Sequence, residues 1–196
     1  MACKVSRGTR CPFLVNRRRW IVLIALIVVD AAILFYSRFR REHRFDDLIR
    51  LAAREYGLPP ALVKAVVWQE SRFDPKARGS VGELGLMQVT ENAALEWAKA
   101  EKIPNFSRTQ LMDPRTNTLA GAYYLAKVMR RYTNTDNALP YALADYNAGR
   151  GNVLRWLTGP ATTNSASFTA AVGFPSTRAY IQSVSEQYEF YRRESP

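Results

Sequence analysis

Apolar positions along this chain recur mostly three and four apart, the helical period, and one run is apolar all round. That run is Trp20 to Tyr36, WIVLIALIVVDAAILFY, interrupted by Asp30 alone. Its 17 residues are the low end of what spans a bilayer as a helix. Beyond it, turn residues punctuate a series of amphipathic stretches. Asp46 is expected to cap a helix to about Tyr56, stopped by Gly57 and Pro59. Pro59-Pro60 suits the first turn of a helix over Ala61–Ser71, with Leu62, Val63, Val66 and Val67 on one stripe. Thr90 caps a stretch to Lys102. Asp113-Pro114, a cap followed by proline at the first helical position, opens the longest one, to about Tyr132. Asn137 to Ala148 ends at Gly149, and Gly151 to Leu157 is a shorter candidate. Pro175 to Arg193 closes the chain with Tyr180, Ile181, Val184 and Tyr188 on one face. Residues 72–83 and 158–173 are rich in small and polar residues and read as irregular. Strand-like alternation is scarce, so the expected fold is all-α.

Charge bears on the apolar run. Of the net +11, residues 1–50 carry +7. Lys4, Arg7, Arg10 and Arg17, Arg18 and Arg19 precede the run with no acidic residue, which places the N-terminal side in the cytoplasm. Trp20 and Tyr36 suit the two interfaces. The resulting plan is a basic cytoplasmic tail (1–19), a transmembrane signal anchor (20–36), a basic connector (37–45) and a folded domain (46–196) on the far side. Asp30 within the run, and Arg38, Arg40, Arg41 and Arg44 after it, weaken this plan. A cleaved signal peptide and a buried core helix are the competing readings. No convincing small-x-small site follows the run, which favours a retained anchor. Arginines beside an apolar helix are explained by topology and anionic lipid, so inner-membrane lipid is the expected partner and nucleic acid is not.

Much chemistry is excluded by composition. Cys3 and Cys11 both precede the anchor, leaving the folded domain without cysteine, disulfide or cysteine metal site. His43, in the connector, is the one histidine, so neither a Ser-His-Asp system nor a histidine zinc site is available. No phosphate-binding glycine loop or dinucleotide fingerprint occurs, and no cofactor is expected. Carboxylate, amide and aromatic chemistry remains. It suits glycosidic bond cleavage, where a carboxylic acid donates a proton and an oxocarbenium-like centre is stabilised. Glu70, at the C-terminal end of an apolar helix with Trp68 and Phe73 close in sequence, is placed for a desolvated, weakened acid.

Three fragments stand in order: Glu70-Ser71, then Gly85-Leu86-Met87-Gln88, then Tyr146-Asn147-Ala148-Gly149. Together they resemble the motifs of the family 1 soluble lytic transglycosylase catalytic domain, over roughly Phe45 to Arg193. Thr177-Arg178-Ala179-Tyr180-Ile181 is similar to the final motif of that family. The resemblance implies a goose-lysozyme-like fold and cleavage of the β-1,4 bond between N-acetylmuramic acid and N-acetylglucosamine in peptidoglycan, leaving 1,6-anhydromuramyl ends. It implies Glu70 as the catalytic acid and then base, and Ser71, Ser80, Met87, Gln88, Tyr146, Asn147 and Tyr180 in contact with the glycan. The implied setting is the bacterial inner membrane with the domain in the periplasm. Peptidoglycan strands are the implied partner, together with an envelope-spanning or wall-synthesis complex.

Three positions depart from the family pattern. Gly79 stands where serine is frequent, with Ser80 adjacent. Ser176 stands where glutamate often precedes Thr-Arg. Glu83 stands where a small residue is usual. A second carboxylate at Glu83 opens the alternative of a goose-type hydrolase that orders a water. A non-catalytic wall-binding module is the remaining alternative.

Overall fold

The computed structural model describes residues 12–194, with side-chain surroundings from Arg17 onward. The first eleven residues of the expected tail, with Cys3 and Cys11, lie outside the described residues. The rest divides into two units between His43 and Arg44.

The first unit is one helix, α1 (Pro12–His43). Its side chains from Trp20 to Tyr36 are exposed along their whole length. Its most apolar 18-residue window has a mean hydropathy of 2.4, enough in length and composition to cross a membrane. The basic stretch after Tyr36 does not uncoil. It stays helical to His43, so it advances about 1.5 Å per residue instead of the 3.3–3.6 Å of extended chain.

The second unit is built from α2 (Asp46–Tyr56), α3 (Pro60–Ser71), α4 (Glu91–Ala100), α5 (Pro114–Arg131), α6 (Ala138–Ala148), α7 (Arg150–Trp156), α8 (Ser165–Ala171) and α9 (Pro175–Glu194). Short 3-10 turns lie at Arg108–Met112 and Gly159–Thr162. Among the described residues, extended pairing is confined to the isolated bridges Arg78–Leu84 and Leu84–Val89. Helix α3 is the centre, packed between α2 and α9, while α5 packs on α2, α4 and α6.

Every residue from Leu62 to Val67 is buried, so α3 is covered all round and the single stripe expected of it is too narrow. Burial extends to Lys64, whose ammonium lies 2.8 Å from Asp46 and 4.9 Å from the centre of the Tyr191 ring. A buried charge is tolerable only when so paired. Asp46 is therefore not a cap: Phe45 holds that position without a side-chain bond, and the Asp46 carboxylate is directed to Lys64.

The other expected caps form. Thr90 accepts from the Ala93 N–H at 3.3 Å, Asp113 from Thr116 at 2.8 Å and Asn137 from Leu139 at 3.1 Å. The stretch 158–173 is less irregular than its composition suggests. Asn164 accepts from the Ser167 N–H at 2.8 Å to start α8, and Phe168 is buried with its ring 4.1 Å from that of Tyr141. One seated aromatic stabilises a helix too short and too poor in apolar residues to show a period.

Candidate active site

Helix α3 brings Glu70 to the point where the buried helix emerges. The chain then turns sharply: Arg72 and Phe73 both adopt left-handed backbone, φ 51° and 61°. For residues with side chains that conformation is strained, and it is held here by the buried Phe73 ring. Glu70 is partly buried and lines a cleft of about 580 Å³. Burial raises its pKa from 4.5 to about 7; a hydrogen bond from Tyr180 lowers it and the Glu83 charge raises it. Glu70 thus holds its proton to higher pH than an exposed carboxyl does.

Helix α9 supplies that hydrogen bond. The Tyr180 hydroxyl donates to Glu70 Oε1 at 2.5 Å. On the same face, the Thr177 hydroxyl donates to Asn147 Oδ1 at 2.8 Å and the Ser183 hydroxyl to Gln69 Oε1 at 2.7 Å. Positions 177, 180 and 183 are one helical turn apart, so a single row of hydroxyls secures α3 and the end of α6. Burial, with the Glu70 charge beside it, keeps the Tyr180 phenol protonated and hence a donor.

The loop from Leu84 to Val89 forms the next wall, and α5 shapes it. Asn117 is fully buried. It accepts from the Met87 N–H at 2.8 Å and donates to the carbonyls of Leu84 at 2.7 Å and Leu111 at 3.0 Å. Gly85 has φ +74°, and a side chain there would lie 2.4 Å from the Asn117 amide. Gly121 leaves the notch that receives Met87, since a Cβ on it would lie 2.5 Å from the sulfur. Met87 is therefore fully buried. It acts on the cleft through its carbonyl, which accepts from Tyr146 at 2.8 Å. Gln88, at φ 46°, does face the cleft, with its amide nitrogen tied to the Gly85 carbonyl at 2.9 Å.

Residues 79–83 close the same wall as a tight turn. The Gly79 N–H donates to the Glu83 carbonyl at 2.9 Å, and Arg108 clamps the Gly82 carbonyl at 2.7 Å. The Glu83 carboxylate folds back over Gly79 and accepts the Val81 N–H at 3.2 Å. A Cβ on residue 79 would stand 2.1 Å from Glu83 Oε2 and 2.9 Å from Gln88 Oε1. Two departures from the family pattern are thus one arrangement, with the carboxylate of 83 in the space a side chain at 79 would take. We expect Gly79→Ser to leave thermal stability within about 1 kcal/mol, because the displaced atom ends a flexible side chain. It should also drive the Glu83 carboxylate off that position and lower the pKa of Glu70. A melt and a titration of Glu70 check both; an unmoved titration would refute the linkage.

Of the residues anticipated in the cleft, Glu70, Ser80, Glu83, Gln88, Tyr146 and Asn147 line it together. Ser71, Met87 and Tyr180 stand behind them. The Ser71 hydroxyl lies 3.0 Å from the Val67 carbonyl and 2.8 Å from that of Leu86, joining α3 to the loop. A charged wall was not anticipated. Tyr124, Lys127 and Arg131 of α5 share a face, Glu96 of α4 pairs with Lys127, and Asp145 and Arg150 flank the Tyr146-Asn147-Ala148-Gly149 motif. The spacing of 124, 127 and 131 was the available signal. Among the described residues no cluster of three or more His, Cys, Asp or Glu could hold a metal ion.

The chain matches the family model described as Transglycosylase SLT domain over residues 47–168. It belongs to that family. The soluble lytic murein transglycosylase of Escherichia coli K12 is 33% identical over 150 residues, 76% of this chain and 23% of the relative. The membrane-bound lytic murein transglycosylase C of Cronobacter sakazakii is 34% identical over 122 residues, 59% of this chain and 34% of the relative. Among solved structures, an inactive Glu-to-Gln mutant of lytic transglycosylase Slt from Pseudomonas aeruginosa superposes with a TM-score of 0.68 at 31% identity, covering 76% of this chain and 24% of that one. This SLT domain therefore shares the all-α fold of lytic transglycosylases. The chain spans about a quarter of the length of the E. coli and P. aeruginosa relatives. The family match ends at 168, before α9, although Tyr180 of α9 holds the acid.

Proposed function

We propose that this chain is a membrane-anchored peptidoglycan lytic transglycosylase with Glu70 as its acid and base. The observation that carries the reading is the state of Glu70: a cleft carboxyl weakened to about pKa 7 by burial and held by one phenol. Catalysis by proton transfer is most effective when the acid titrates near working pH. Glu70 protonates the glycosidic oxygen as the bond to the muramyl C1 breaks. The acetamido group of the substrate stabilises C1. The Glu70 carboxylate then takes the proton of the muramyl C6 hydroxyl as O6 bonds to C1. The proton returns to Glu70, no water is consumed, and one carboxylate suffices. Gln88, Tyr146 and Asn147 position the sugars, and Ser71, Met87 and Tyr180 hold those groups in place. The lytic transglycosylase relatives, an inactive Glu-to-Gln mutant among them, support the same reaction.

The test is a digest of purified sacculi by the detergent-solubilised chain, with released muropeptides identified by mass spectrometry. Anhydromuramyl ends support the reading; reducing muramyl ends support hydrolysis instead. One observation favours that second reading, namely the Glu83 carboxylate on the cleft wall, where it could order a water. The pH profile bears on Glu70. Tyr180→Phe removes the bond that favours the ionised form, so the alkaline limb should move above pH 7. Glu83→Gln removes a charge that opposes ionisation, so that limb should move below it. Shifts of the opposite sign would refute this account.

In the same reading, α1 spans the inner membrane with its arginine-rich start in the cytoplasm. The helical stretch Ser37–His43 rises only about 10 Å, so cleavage occurs close to the membrane face, on membrane-proximal glycan or beside an envelope complex. Membranes washed at high pH should retain the chain; recovery in the soluble fraction would remove the anchor.

A further inference from the structure

Asp30 is the one charged residue of the apolar run Trp20–Tyr36. It lies ten residues after Trp20 and six before Tyr36, on a helix about 15 Å from one end of the run and about 9 Å from the other. Its side chain is too short to reach back to the headgroups as lysine and arginine do. Helix α1 offers it no partner. Residues on one helix meet at separations of three and four, and those positions are Leu26, Ile27, Ile33 and Leu34. The nearest cations along α1 are Arg19 and Arg38, eleven and eight residues away, at least about 12 Å along the axis. Asp30 is exposed and makes no hydrogen bond or ion pair among the described residues. A carboxylate in hydrocarbon is costly unless a cation or a donor meets it, and hydrocarbon supplies neither. The residues in line with it form a packing seam. Leu23, Leu26, Asp30, Ile33 and Ser37 follow one another at alternating steps of three and four, the repeat along which two helices interdigitate in a left-handed pair. One polar residue at the centre of such a seam fixes its register.

We infer that the Asp30 seam of α1 docks a transmembrane helix of another membrane protein, one that carries a lysine or arginine at the depth of Asp30. The inference rests on the proposed reading of α1 as a membrane span, and it gives the envelope complex of that reading a point of attachment. Charge complementarity selects the occupant. A second copy of this chain, crossing the membrane in the same direction, would set Asp30 against Asp30 in a medium of low dielectric constant. A basic residue instead meets the carboxylate as an ion pair and a charge-assisted hydrogen bond at once.

The experiment measures helix association in vesicles. The full chain, with a donor fluorophore on Cys3 and Cys11, is reconstituted in phosphatidylcholine with a synthetic polyleucine transmembrane helix that carries the acceptor. The helix has one lysine at the depth of Asp30 or leucine throughout. Energy transfer should show the lysine helix associating at least about threefold more tightly. Asp30→Leu, a change outside the folded domain, should bring the ratio close to one. In a mild-detergent extract of source-cell membranes, the wild-type chain should sediment as a larger particle than Asp30→Leu. Equal association of the two helices, a lysine preference that survives Asp30→Leu, or equal sedimentation would each overturn the inference. So would transfer between two copies of the chain that Asp30→Leu abolishes, because the seam would then serve self-association. Alkaline washing of the vesicles separates this outcome from the anchor. A chain recovered in the wash removes the anchor and the docking with it, whereas a chain retained without a lysine preference removes the docking alone.

Discussion

Glu70→Gln is expected to reduce release of anhydromuramyl ends by at least about 100-fold, the usual share of a positioned acid–base group. Glutamine keeps an oxygen to accept from Tyr180 but cannot deliver or take a proton. The same variant should gain stability, and only above the pH at which the unfolded carboxyl ionises. In the folded chain Glu70 holds its proton up to about pH 7, against 4.5 for the unperturbed group. Between those values the native state binds more protons than the unfolded chain, so the wild type loses stability as pH rises through the window. The glutamine variant has no such loss. Its melting temperature should match the wild type below about pH 4.5 and exceed it most above about pH 7. An active variant would remove Glu70 as the acid, and an equal offset at all pH values would remove the account of its pKa.

Asn117→Ala is the second large effect, and it begins in the core. Two backbone groups lose their partner at once, the Met87 N–H and the Leu111 carbonyl, while the Leu84 carbonyl keeps the Val89 N–H at 3.0 Å. Each buried, unsatisfied group costs about 1–3 kcal/mol, so the loss should be roughly 2–6 kcal/mol, a large part of the stability of an ordinary domain. What survives should be nearly inactive, because Met87 then no longer fixes the carbonyl that accepts from Tyr146. Urea denaturation measures the loss; a value below about 1 kcal/mol would show that the loop holds itself. Asparagine is specific here, since the site uses both an acceptor and two donors of one amide.

Most of the scaffold was legible because caps and apolar spacing are local. Thr90, Asp113 and Asn137 mark helix starts through bonds to residues two or three positions on. The catalytic candidate was legible for a similar reason, since an apolar helix ending in Glu70 is visible in one dimension. What was not legible depends on contacts between distant segments. The stripe of α3 gave no sign that Lys64 is buried, because its partner Asp46 comes from another helix. Helix α8 was hidden because its stability comes from Phe168 against Tyr141 rather than from its own period. Met87 looked like a groove residue until Gly121, 34 positions later, supplied the notch that buries it. The charged wall joins α4, α5 and the start of α7, and the spacing of 124, 127 and 131 within α5 shows only one part of it.

The crowding between positions 79 and 83 extends beyond this one chain. A Cβ at 79 and a carboxylate in the pose of Glu83 cannot share the space, because 2.1 Å separates them. Across homologues the two positions should therefore covary: glutamate at the second should accompany glycine at the first, and serine at the first should accompany a small residue at the second. Where the glycine–glutamate pair occurs, it marks a branch whose cleft carries a second negative charge.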